Sequence, residues 1–81
     1  MTKLQKLVNQ FLADPTEARF DEVRSLLEAF GYKEKRSKGS HHVFENETGS
    51  VITVPKKGGQ RVKRIYLKRL IVLLDLANWK E

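Results

Sequence analysis

Apolar residues recur through the first third of the chain at helical spacing. Leu4, Leu7, Val8, Phe11 and Leu12 fall at i, i+3, i+4, i+7 and i+8, the stripe of an amphipathic helix that Asp14-Pro15 ends. Phe20, Val23, Leu26, Leu27 and Phe30 repeat the pattern and predict a second helix, with Asp21 as cap or first-turn acid and Gly31 as a left-handed stop. The period then shortens to that of strands. Tyr32 to Ser37 is short and polar, Ser40 to Glu45 alternates, and Val51 to Val54 is β-branched throughout. Gly39 marks the bend between the first two strands, and Asn46-Glu47-Thr48-Gly49 supplies the turn into the third. Pro55 closes that strand, Lys56-Lys57-Gly58-Gly59-Gln60 reads as a mobile basic loop, and a last helix covers Arg64 to Ala77. Leu67, Leu70, Ile71 and Leu74 form its apolar stripe.

The order ααβββα predicts an α+β fold, with a three-stranded antiparallel sheet packed on helices by one face and open on the other. With 81 residues, the chain is expected to be one domain, residues 1–81, large enough to close a modest core. No cysteine is present, which excludes a disulfide framework, a thiol nucleophile and a thiolate zinc site. Lys3 and Lys6 interrupt the N-terminal apolar residues, and the aliphatic run Leu70 to Leu74 is too short to span a bilayer. The expectation is a cytoplasmic protein with no membrane role.

Charge sharpens the picture. The formal net charge is +6, but Lys33 to Arg69 holds eleven of the sixteen basic residues against three carboxylates, so that segment carries +8 and the remainder −2. A basic surface beside an acidic one is the footprint of a nucleic-acid binder that also meets a protein; a solubilising surface has the same composition. Lys63, Arg64, Lys68 and Arg69 crowd the start of the last helix, where the macrodipole disfavours each cation by about 0.3–1 kcal/mol. Phosphates at the helix N-terminus would compensate, as would side chains extended into solvent.

The only two histidines stand side by side in Gly39-Ser40-His41-His42, at the start of the central strand, with Lys33, Lys35, Arg36 and Lys38 before them and Lys56 and Lys57 after. Histidine titrates near neutral pH and so donates or accepts protons readily. Strand alternation puts His42 on one face with Phe44 and His41 on the other with Val43. If Phe44 is core, His41 is open to solvent; if Val43 is core, the roles reverse. Neighbours on opposite faces make a poor metal site, so neither a metal nor a cofactor is expected. Ser40 reads as a strand-start hydroxyl, because no carboxylate-oriented histidine relay accompanies it.

Arg19-Phe20-Asp21-Glu22-Val23 through Leu27-Glu28-Ala29-Phe30-Gly31-Tyr32, then Lys38-Gly39-Ser40-His41-His42-Val43-Phe44, Val54-Pro55, and Ile65-Tyr66-Leu67-Lys68-Arg69-Leu70 resemble the HicA family of bacterial and archaeal toxins. The likeness covers residues 19–76 as a core, with residues 1–14 as an additional N-terminal helix. It implies a double-stranded-RNA-binding-like fold, cleavage of messenger RNA, and neutralisation by a HicB-like antitoxin. It also implies that His41, directly after Gly-Ser, is the catalytic histidine. Members often carry another histidine or basic residue after Val-Pro, where this chain has Lys56 and Lys57.

The chemistry so implied is metal-independent attack of an RNA 2'-hydroxyl on its neighbouring phosphorus, with His41 moving the proton. Lys38, Ser40, Lys56, Lys57, Lys63, Arg64, Lys68 and Arg69 are the expected RNA contacts. A noncatalytic RNA-binding module whose histidines merely pack or stack is the alternative, and a protein-interaction module whose basic face docks an acidic partner is a third class.

Overall fold

The computed structural model describes residues 2–58 and 60–80. The Thr2 hydroxyl accepts a hydrogen bond from the Gln5 amide at 3.1 Å and so caps α1, Lys3–Leu12. The expected stripe buries Val8 and Phe11 and half-buries Leu4 and Leu7, while Leu12 stays exposed. A short strand, β1 (Glu17–Arg19), leads directly into α2 (Phe20–Ala29). Glu22 begins that helix by accepting from the Arg19 backbone N–H at 3.0 Å, so Asp21 serves as a first-turn acid and not as the cap. Gly31, at φ +91°, ends it in the left-handed conformation, and the Tyr32 N–H returns to the Leu27 carbonyl at 2.9 Å.

The sheet consists of β2 (Lys33–Lys38), β3 (His41–Glu45) and β4 (Val51–Pro55), antiparallel and in that order. Gly39, at φ +59°, makes the bend between β2 and β3. Asn46 organises the next turn, where its side-chain oxygen accepts from the backbone N–H groups of Thr48 and Ser50. Phe44 and Val54 face inward and close over Phe11, Phe20, Leu26, Leu27, Leu67 and Leu70. The helix, three-strand, helix order expected from the pattern is observed.

Three features depart from that pattern. First, β1 pairs antiparallel with β5 (Arg61–Lys63) in a separate two-stranded ribbon, in which buried Ala18 stands opposite buried Val62. Second, the segment expected to be a mobile loop is tied at its flanks: the Lys57 N–H donates to the Arg61 carbonyl at 2.8 Å, and Gln60 donates to Lys57 at 3.1 Å. Gly59, within that expected loop, lies outside the described residues. Third, the last helix, α3, runs Arg64–Leu73 and stops short of Ala77. Asp75 takes a left-handed conformation at φ +51°, and a 3-10 turn, Leu76–Asn78, follows, with the Leu76 side chain fully buried.

A bulge between Glu34 and Arg36 sets the chemistry of β2. Lys38 pairs with His41, Ser37 with His42 and Arg36 with Val43, but Glu34, not Lys35, comes opposite Phe44. One extra residue reverses the facing of everything beyond it. Lys35 is therefore exposed, and the Glu34 carboxylate joins the inner face beside His42.

Candidate functional site

The two faces of β3 separate the histidines. Phe44 is fully buried and His42 is 8% exposed, whereas His41 is exposed on the outer face. Register places Lys38 of β2 and Pro55 of β4 directly across from His41. Opposed residues of an antiparallel pair share a face with their Cβ atoms about 5 Å apart, so the Lys38 side chain leaves the sheet beside that of His41. Arg36 and Val43 form the next pair on that face, and Arg36 is exposed. Ser40 precedes the strand in the turn; its carbonyl accepts from the Lys56 N–H at 2.8 Å and fixes the end of β4 against the start of β3.

The inner histidine has a different environment. His42 Nδ1 is hydrogen-bonded to the Glu34 carboxylate, which also accepts from the Arg24 guanidinium at 3.1 Å, and Arg24 reaches Asp21 at 3.7 Å. Hydrogen bonding to His42, reinforced by Arg24, outweighs partial burial and holds the Glu34 carboxyl below its usual range. The His42 ring packs on Phe20 with centroids 4.5 Å apart, and its Nε2 is buried without a hydrogen-bond partner among the described residues. Such an imidazole is built into the core and is closed to a substrate.

The expected phosphate contacts divide into groups. Lys57 neighbours Lys63 across the β4–β5 connection, where hydrogen bonding with Lys63, followed by its like charge, lowers the affinity of the Lys57 amine for its proton. Lys56 instead turns inward and sets its ammonium 4.9 Å from the centre of the Phe20 ring. Arg64 is engaged internally: it pairs with the Asp14 carboxylate at 3.4 Å and donates to the Asp14 and Pro15 carbonyls, both at 3.3 Å. Part of the compensation for cations at the start of α3 thus comes from Asp14. Lys68 and Arg69 are exposed on the middle of α3, with Arg69 5.4 Å from the centre of the Tyr66 ring.

Two features escaped the sequence. Arg36 joins Lys38 on the outer face, a placement announced only by their two-residue spacing in β2. The Glu34–His42 pair depends on the bulge, which carries no such signal.

A family model described as the HicA toxin of bacterial toxin-antitoxin matches residues 20–76, from the first residue of α2 to the first residue of the 3-10 turn. No curated protein and no solved structure matches the chain.

Proposed function

The chain belongs to the HicA toxin family of bacterial toxin-antitoxin systems, and from that premise we propose that it is an endoribonuclease that cleaves messenger RNA with His41 as the acid/base group. The observation that carries this reading is the outward position of His41 between Lys38 and Pro55, at the edge of a cationic surface.

RNA lies across the outer face of β2 and β3, with its phosphates met by Lys38 and Arg36 and, beyond the end of β4, by Lys57 and Lys63. The His41 imidazole removes the proton of a 2'-hydroxyl, whose oxygen attacks the adjacent phosphorus. The P–O5' bond breaks, leaving a 2',3'-cyclic phosphate, and the departing 5'-oxygen takes a proton from the imidazolium or from water. General acid/base help of this kind is worth roughly 10²–10⁴ in rate, and fixed cations that stabilise charge on the phosphorane add to it. Ser40 holds the turn through its carbonyl, while Lys56, Arg64, Lys68 and Arg69 extend the basic field over the two ends of the site. The activity requires no metal or cofactor and operates in the cytoplasm. It is silenced by a HicB-like antitoxin that competes for the same cations.

One observation favours the noncatalytic RNA-binding alternative: the histidine oriented by a carboxylate is the buried His42 and not His41. Incubation with long single-stranded RNA separates the readings. Fragments support the nuclease, and salt-sensitive retention of intact RNA supports the binding module.

A further inference from the structure

Helix α3 carries two stripes. Leu67 and Leu70 are buried in the core, while Ile65, Lys68, Arg69, Val72 and Leu73 fall at i, i+3, i+4, i+7 and i+8 and line a shallow depression open to solvent. Ile65 is 56% exposed, Val72 79% and Leu73 45%. The helix contains no acidic residue, and among the described residues neither Lys68 nor Arg69 has a carboxylate partner. Apolar ends around a cationic centre, about 10 Å from Ile65 to Val72, fit two turns of a helix of opposite charge pattern.

A second copy of the chain does not meet this requirement. An isologous pair along the stripe sets Lys68 and Arg69 of each chain against the same cations of the other. A partner with acidic residues between two apolar positions satisfies both the charge and the exposed aliphatic side chains.

We propose that this stripe is the anchoring surface for an amphipathic, acid-centred helix of the antitoxin, separate from the His41 face. The proposal rests on the reading of the chain as an antitoxin-controlled toxin. Anchoring on α3 holds the inhibitor by aliphatic contacts that RNA, which engages cations, does not contest. Arg69 also lines a second depression beside the free edge of β4, so the anchored partner lies next to the sheet whose outer face carries His41.

The test uses this chain and, as probe, a purified HicB-family antitoxin. Affinity is measured by titration calorimetry in the His41→Ala background, and RNA cleavage is measured with His41 intact. Ile65→Ser combined with Val72→Ser is expected to weaken antitoxin binding tenfold or more and to leave RNA cleavage unchanged. Lys68→Glu with Arg69→Glu is expected to weaken the antitoxin by a similar factor and to reduce the salt dependence of its residual binding. Unchanged affinity in the double serine variant overturns the proposal, as does a free wild-type chain that is a dimer dispersed by those substitutions. Binding of the wild-type stripe to anionic lipid vesicles, abolished by Val72→Ser, likewise overturns it in favour of a membrane surface. If RNA is not cut by the wild type while the serine variant still loses antitoxin, the nuclease reading falls and the docking surface stands.

Discussion

The His42 imidazole and the Glu34 carboxylate meet at 2.5 Å across the β2–β3 pair, because a bulge turns Glu34 onto the inner face. That bond commits one of two adjacent histidines to the fold and leaves the other, His41, facing out. Arg24 completes the arrangement from α2 and so ties the sheet to the helix that packs on it.

Glu34→Gln should destabilise the protein by about 1–2 kcal/mol at pH 7, since a charge-assisted hydrogen bond becomes a neutral one. The Glu34 carboxyl titrates below its ordinary value of 4.5 in the folded state, so its contribution is present above that pH and is lost as pH falls through the folded value. Urea denaturation of parent and variant at several pH values should show the gap closing as pH falls below 4.5 and through the lowered folded value. A gap independent of pH would mean that the carboxylate charge contributes nothing.

On the proposed reading, in which Lys57 and Lys63 meet a phosphate, Lys57→Ala should weaken RNA binding and reduce the slope of log affinity against log salt by about one. Val51→Ala, at an exposed position on β4, should leave that slope unchanged. Filter binding across a salt series checks both.

RNA fragments should end in 2',3'-cyclic phosphate and 5'-hydroxyl groups and should form at the same rate in excess chelator. Among the described residues no cluster of three or more histidine or acidic side chains is placed to hold an ion. End-group analysis by mass spectrometry decides it; 5'-phosphate ends alone would reject internal attack by the 2'-hydroxyl.

Much of this architecture was legible from periodicity. The stripes ending at Leu12 and Phe30, the left-handed Gly31 and the turn at Asn46–Gly49 stand where spacing and turn chemistry put them. The β1–β5 ribbon was not legible, because three-residue strands with a single buried residue each show no alternation and their partners lie over forty residues apart. Which histidine faced outward turned on whether Phe44 or Val43 was core, a tertiary fact. The cation counts gave the basic character of the surface, but not that Arg64 pairs with Asp14 or that Lys56 turns to Phe20. Long side chains choose partners only once the backbone has brought them close.

The central claim is that the exposed histidine is the proton-transfer group and the buried one is structural. The most direct measurement compares His41→Ala and His42→Ala for initial rate of RNA cleavage, RNA affinity and thermal midpoint on the same preparations. His41→Ala should lose roughly 10²–10⁴ in rate with affinity and midpoint unchanged. His42→Ala should instead lower the midpoint, by leaving Glu34 with Arg24 alone and opening space beside Phe20, and should retain most of its activity at temperatures where it is folded. A His41→Ala protein that cuts RNA at the parental rate would contradict the claim.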